Sequence, residues 1–307
     1  MAEIETGLYV FGPEYGGAKL TYLPLVREKQ WKMVSQQIFF QARTLKLKDP
    51  LFLYSHVDRM APLCADVKAH GLPLIHICMD YPEPYQYELI EISERTLVIP
   101  PIVFHKLKAK FGDKIEWIPQ SIHLARAQNG WPHNEPADLA NLPHPRLGYL
   151  GPVYARLNLP MLAAVLSAHP EWQFIYFGEA GEPIGPNAHS VGWRRPEELP
   201  AYVSAFDVGI MPYDCFDEKN LHCSPLKLFD YFLSGIPVVS TPIPSLSEYS
   251  DLIYFGETAK EFSSAIERAL AEPLTSPMRK QRAEAARNHS TDVLGRRLAE
   301  ILKLGER

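Results

Sequence analysis

Short apolar runs, separated by longer mixed segments, set the rhythm of the chain. In the first part the runs fall at 8–11, 51–54, 74–78, 96–99 and 115–118. Helical patterns lie between them over 30–44, 61–69, 87–93 and 103–111. The rhythm starts afresh at residue 146, with strands expected over 146–150, 172–177, 208–212, 238–240 and 252–255 and a short one within 187–193. Helices are expected over 160–168, 197–205, 225–233, 259–271 and 278–288. Strands alternating with helices predict parallel sheets covered on both faces. The polar, Gly- and Pro-containing stretch 127–145 breaks the alternation and reads as an interdomain linker. The expectation is an α/β chain with a first domain over 1–135, a second over 136–275, and C-terminal helices over 276–307 packing back toward the first. In open parallel sheets ligands bind beyond the carboxyl ends of the strands, so residues that follow strands carry the functional reading.

Composition changes this picture little. The 307 residues are 46% hydrophobic and 22% charged, enough for one large or two ordinary domains. A net charge of −5 with no basic stripe argues against a nucleic-acid partner. Arg279, Lys280, Arg282 and Arg287, interleaved with Glu and Ala, read as a solvated helix face. The four cysteines, Cys64, Cys78, Cys215 and Cys223, form no CxxC pair. Neither a signal peptide nor an 18-residue apolar run is visible, so a reduced cytoplasmic setting is expected.

The stretch CSPLKLFDYFLSGIPVVSTP, residues 223–242, carries the most chemistry. Ser224 is read as the N-cap and Pro225 as the first helical residue. A helix start is an anion site, and Lys227 in the first turn opposes the dipole unless an anion sits beside it. Asp230 follows on the same face, and a carboxylate there suits a ribose diol. An ordinary surface Lys–Asp pair explains the spacing equally well. Gly151 and Gly178 give glycine-rich strand exits, but no GxGxxG fingerprint is present. Arg194 and Arg195 follow a strand; they suit a phosphate or simply sit in a surface turn.

The stretch 224–242, with Asn187, the turn from Gly192 to Arg195, Leu199, Pro200 and the segment 206–212, resembles the donor-binding half of GT-B glycosyltransferases. The similarity is to the group 1, family 4-like branch that includes bacterial cell-surface polysaccharide transferases. Weaker similarity extends to 146–153, 171–178 and 288–302. The resemblance implies two Rossmann-like domains facing a central cleft, with a shortened N-terminal domain on the acceptor side. It implies a nucleoside-diphosphate sugar donor, UDP- or GDP-linked, held by the C-terminal domain without a metal. Lys227 would meet the diphosphate and Asp230, where Glu is usual, the ribose. Gly151 and Gly178 would border the donor, with Gly192 to Arg194 near the base. His222 stands where the paired-Glu version of the family has its first Glu.

Transfer needs the acceptor hydroxyl made more nucleophilic and cations at the leaving diphosphate. An inverting reaction calls for a side-chain base, whereas in a retaining one the donor phosphate itself can assist and no such base is required. Asp80 is the expected base, with His56 and Asp58 as rivals; all three follow strands. His123 is a further residue of the cleft, or a packed one. Cys215, His222 and Cys223 with Asp214 and Asp217 allow a structural zinc as a weaker reading. The tyrosines of 81–89 suit either sugar stacking or hinge packing. The stretch 30–48 suits either the first sheet or an anionic membrane surface, which would put the protein at the inner membrane face. Expected partners are the nucleotide-sugar donor, a saccharide, lipid-linked or small-molecule acceptor, and a partner glycosyltransferase or a second copy. The rivals to a transferase are a nucleotide-sugar epimerase, a phosphorylase-like enzyme, and a non-catalytic subunit that binds a nucleotide sugar or a partner.

Overall fold

The computed structural model describes residues 8–11, 51–55, 69, 74–78, 84–120, 134–154 and 156–302. Backbone proximity divides the chain into two compact units, Gln120–Leu294 and the remainder, Met1–Pro119 with Gly295–Arg307. The stretch 127–145 is thus counted with the longer unit.

The first unit holds a five-stranded sheet: β1 Leu8–Phe11, β2 Leu51–Ser55, β3 Leu74–Cys78, β4 Arg95–Val98 and β5 Ile115–Trp117. The strands pair in chain order and all run parallel. Every residue of β3 is buried, His76 included, as a strand inside a parallel sheet covered on both faces should be. Helices α1 (Pro84–Ile92) and α2 (Pro101–Phe111) follow β3 and β4. Proline opens α2, where its missing N–H costs nothing, and Gly112 ends it. Cys78, Ile90, Val98, Val103, Leu107 and Ile115 form a core between these elements. The helix expected over 30–44, and that over 61–69 apart from residue 69, lie outside the described residues.

The second unit contains β6 (Arg146–Tyr149), α3 (Leu159–Ala168), β7 (Gln173–Tyr176), β8 (Ala188–Ser190) and α4 (Leu199–Ser204). There follow β9 (Val208–Met211), the short α5 (Glu218–Leu221), α6 (Lys227–Ser234), β10 (Val238–Ser240) and β11 (Tyr254–Phe255). Helices α7 (Ala259–Leu270), α8 (Pro277–Arg287) and α9 (Thr291–Leu302) complete the chain order. Local sequence explains the helix starts. Asn158 accepts the Met161 amide at 3.0 Å ahead of α3. Thr258 and Glu261 form a reciprocal capping box on α7.

The six strands pair in parallel, in the order β11-β10-β9-β6-β7-β8. The chain therefore leaves β6 toward β7 and β8, then returns to the other side of β6 at β9. The point between the carboxyl ends of β6 and β9 is the switch point of this sheet, the place where open α/β sheets take their ligands.

Helix α8 corrects the reading of a fully solvated basic face. Arg282 is completely buried. Its Nη1 and Nη2 donate to the two Glu272 carboxylate oxygens at 2.8 and 2.7 Å. Its Nε donates to the Leu252 carbonyl at 2.9 Å. A buried guanidinium needs such a bidentate partner.

Candidate donor site at the β6–β9 switch point

Two glycines thin the central strands here. A Cβ on Gly148 of β6 would lie 1.9 Å from the Phe206 ring, and one on Gly209 of β9 would lie 2.6 Å from the Tyr231 ring. The Tyr231 side chain of α6 thereby lies against the sheet. Its hydroxyl accepts the Leu150 amide at 2.9 Å and donates to the Gly148 carbonyl at 3.1 Å. This contact fixes the rotation of α6 relative to the β6 exit. Lys227 lies one turn before Tyr231 and so shares its face.

The Lys227 Nζ accordingly lies 3.9 Å from the centre of the Tyr149 ring and 5.4 Å from that of Tyr213. These tyrosines end β6 and follow β9, the two strands that flank the switch point. Gly151, at φ 148°, lets the backbone approach closely; a Cβ there would lie 3.5 Å from the Lys227 Nζ. Burial is the main cause lowering the Lys227 pKa from 10.5 to about 7. Arg156 adds repulsion, while Cys223 and Asp230 pull the other way. Asp230 sits three residues on, partly buried in the first turn of α6.

The helix begins later than expected. Its cap is Leu226, with no side-chain capping bond, so the N-cap role read for Ser224 is corrected. Pro225 and Leu226 first wind a tight turn, in which the Leu228 amide reaches the Pro225 carbonyl at 3.2 Å. Ser224 instead offers its carbonyl to the Gln120 Nε2 at 3.2 Å. At the far end Gly235 adopts φ 71°, and a Cβ there would lie 3.0 Å from the Arg279 carbonyl oxygen of α8.

Arg156 was not singled out in the sequence, yet its charge acts on Lys227, Tyr149 and Tyr213. Its Nε donates to the Asn220 Oδ1 at 3.0 Å, and its Nη2 to the Lys219 carbonyl at 3.2 Å. Asn220 is fully buried and donates to the carbonyls of Arg156 and Asp214 at 2.6 and 3.0 Å. The loop 214–223 is thereby tied to the β6 exit. His222 is buried within it, and its Nδ1 donates to the Glu218 carbonyl at 2.7 Å. A carbonyl only accepts, so this bond fixes a proton on Nδ1.

The turn after β8 is a second glycine device. Gly178 and Gly192 adopt φ 79° and 69°, and the Gly178 amide donates to the Gly192 carbonyl at 2.9 Å. Trp193 lies over Gly178, with ring atoms 3.0 Å from where a Cβ would be, yet 67% of its surface is exposed. This exposed indole was also missed; its signal is a tryptophan between Gly192 and Arg194. Arg194 itself is engaged. Its Nε donates to the Tyr202 hydroxyl at 2.6 Å and its Nη2 to Asp138 at 2.8 Å. The Tyr202 hydroxyl donates to the same Asp138 oxygen at 2.8 Å. Burial pushes the Asp138 carboxyl upward, but these two hydrogen bonds hold it below its ordinary range. Arg195 is exposed and pairs with Glu198 at 3.3 Å. Asn187 is buried and donates to the carbonyls of Leu166, His169 and Trp172, which tie the end of α3 to β7.

Asp80, His56, Asp58 and His123 lie outside the described residues. Among the described residues no three His, Cys, Asp or Glu side chains gather as a metal site, and no helix is long and apolar enough to cross a membrane.

Two parallel α/β units of this kind, the second with its switch point between β6 and β9, belong to the GT-B class, and the chain has that fold. HepE of Anabaena, solved in complex with UDP, matches with a TM-score of 0.67 at 11% identity, over 88% of this chain and 82% of that one. Sucrose-phosphate synthase of Thermosynechococcus elongatus matches with a TM-score of 0.66 at 17% identity, over 92% of this chain and 80% of that one. In sequence, the chain is 28% identical over 165 residues to a Bacillus subtilis (strain 168) protein named "Putative teichuronic acid biosynthesis glycosyltransferase TuaH". That match takes in 50% of this chain and 41% of the relative, so the chain spans less than half of the relative's length. No protein-family profile matches the chain.

Proposed function

We propose that this protein is a glycosyltransferase that moves a sugar from a nucleoside-diphosphate sugar to a hydroxyl of a saccharide, lipid-linked or small-molecule acceptor. One observation carries the reading. A cationic side chain, Lys227, lies at the switch point of the second sheet, three residues before a carboxylate on the same helix. The ammonium would neutralise charge on the leaving diphosphate, with Arg156 as a second cation, and Asp230 would accept the ribose hydroxyls. Gly151 would admit the diphosphate close to the backbone, and Ser224 would border it. The turn containing Gly178 and Gly192 would border the base, which would stack on the Trp193 indole. Arg194 would serve by holding that turn against Asp138 and Tyr202.

A UDP-sugar is the preferred donor, in line with the UDP-bound relative of the same fold. Asp80, with His56 and Asp58 as rivals, remains the proposed base. A lipid-linked acceptor would bring the protein to the inner face of the membrane.

The test is calorimetric titration with UDP, GDP, ADP, TDP and CMP, repeated on Lys227→Ala and Asp230→Ala, then transfer assays with the matching sugar donors. Micromolar binding of one diphosphate, lost in both variants, is the expected result; no binding to any would remove the reading. A second reading, a subunit that binds a nucleotide sugar without turnover, draws on the buried His222 at the place of a family carboxylate. It predicts the same binding but no product.

A further inference from the structure

The start of α6 is held from behind by a chain of hydrogen bonds that joins the two ends of the second unit. Gln120 is the first residue of that unit, and His289 lies five residues before its last, Leu294. The Gln120 Nε2 donates to the Ser224 carbonyl at 3.2 Å, just ahead of the turn that opens α6. The Gln120 carbonyl in turn faces the His289 Nδ1 at 2.8 Å. The Tyr249 hydroxyl lies 2.7 Å from the His289 Nε2. The imidazole also stacks on Phe229 of α6, with ring centres 4.1 Å apart and planes at 24°.

The protonation follows from the partners. The Gln120 carbonyl can only accept, so His289 carries its proton on Nδ1. In the neutral ring Nε2 is then an acceptor, 2.7 Å from the Tyr249 hydroxyl, which also hydrogen-bonds the Glu248 side chain. Burial lowers the His289 pKa and so favours this neutral form. Every polar atom of the ring is thereby assigned. Gln120 is fixed through its carbonyl, and its amide points at Ser224.

We propose that His289 and Gln120 are positioning residues for the donor site. They set the path of the 224–226 turn, and with it the direction of the α6 amides and of Lys227. The proposal rests on the donor-site reading above. Neither residue touches the donor; both act through Ser224 and Phe229.

The two contacts of His289 can be separated. His289→Phe keeps a ring against Phe229 and loses both hydrogen bonds. His289→Asn keeps a donor close to the Nδ1 position and loses the stack. Gln120→Met keeps the backbone carbonyl and cuts only the bond to Ser224. UDP titration of each variant, with melting temperature measured alongside, tests the relay. His289→Phe and Gln120→Met are expected to weaken UDP binding about tenfold each, with His289→Asn recovering most of it. The double variant His289→Phe, Gln120→Met should lose no more than one of them, because both cut one chain. Wild-type affinity in both single variants overturns the proposal while leaving the donor site standing. So does a loss in His289→Asn as large as in His289→Phe, which would make stacking the whole role. Absence of UDP binding in the unmutated protein overturns the donor-site reading, and the relay's role with it. If affinity drops only where the melting temperature collapses, the role is structural and the proposal also fails.

Discussion

The Lys227 ammonium lies over the face of the Tyr149 ring, with Nζ 3.9 Å from its centre. The ring face attracts a cation, but desolvation and Arg156 oppose the charge, and the pKa falls to about 7. The sign of the consequence is definite. Between about 7 and 10.5 the unfolded chain holds a proton that the folded chain has lost, so this residue's contribution to stability rises with pH across that window. At neutral pH and below, Lys227 opposes folding. Lys227→Met should therefore raise the melting temperature, by about 3 °C for each kcal/mol of desolvation removed. The same variant should abolish nucleoside-diphosphate binding. Differential scanning calorimetry and titration on one preparation check both, and an unstable Lys227→Met would contradict the burial argument.

Donor affinity should carry the same ionisation. If the ammonium binds the diphosphate, UDP affinity falls as pH rises above about 7, approaching tenfold per pH unit. Lys227→Arg, which stays charged throughout, should show a flat profile over this range. Titrations between neutral and alkaline pH decide it; a flat wild-type profile would mean that the lysine is charged before the ligand arrives.

Tyr231 gives a stability prediction tied to the site. Tyr231→Phe keeps the ring against Gly209 but strands the Leu150 amide, which the hydroxyl satisfies at 2.9 Å. Such a deletion costs about 1–3 kcal/mol. Urea unfolding should show that loss, and UDP affinity should fall as well, because the hydroxyl fixes α6 to the β6 exit. A change in stability alone would separate the two roles.

Most strands were legible because they hold short, mainly apolar runs, and β3, β6, β9 and β10 are buried at every position; β8, Ala188–Ser190, has no such run. The placing of Lys227 and Asp230 on one helix was legible from spacing. Other features depend on partners distant in sequence. Arg282 lies in a polar helix whose other fully buried residue is Ala286, one turn on, so no apolar stripe marks its inward face. Its carboxylate partner lies on the preceding loop. Arg156 follows a glycine exit like any loop cation, and only the return of β9 beside β6 brings its charge to Lys227. Ser224 preceded a proline in a good capping position, but the tight turn at Pro225 delayed the helix.

Arg194 separates shape from direct binding. Its guanidinium is held by Asp138 and Tyr202, but Asp138 is exposed and keeps its bond from the Tyr202 hydroxyl, so Arg194→Ala should destabilise the second unit by no more than about 1 kcal/mol. UDP affinity should change less than about threefold, which is under 1 kcal/mol. A loss as large as that of Lys227→Ala would instead assign Arg194 to the phosphates.

The buried pair of Arg282 and Glu272 gives the strongest stability prediction. Removing one partner leaves an uncompensated charge, and Arg282→Ala should cost about 3–5 kcal/mol in urea unfolding at neutral pH. Replacing both by apolar residues, Arg282→Met with Glu272→Leu, should recover most of that loss. The Tyr254 hydroxyl, which donates to Glu272 at 2.9 Å, then loses its partner and keeps the recovery incomplete. The pH dependence has a fixed sign. Burial alone would raise the Glu272 carboxyl, but its bonds to Arg282 and Tyr254 hold it below the ordinary 4.5. A depressed carboxylate contributes stability above its unfolded value and loses that contribution as pH falls through the folded one. The unmutated protein should therefore lose stability on acidification from about pH 5 downward. The doubly apolar variant should lose less over the same range. Equal acid sensitivity in the two would show that other carboxylates govern the transition.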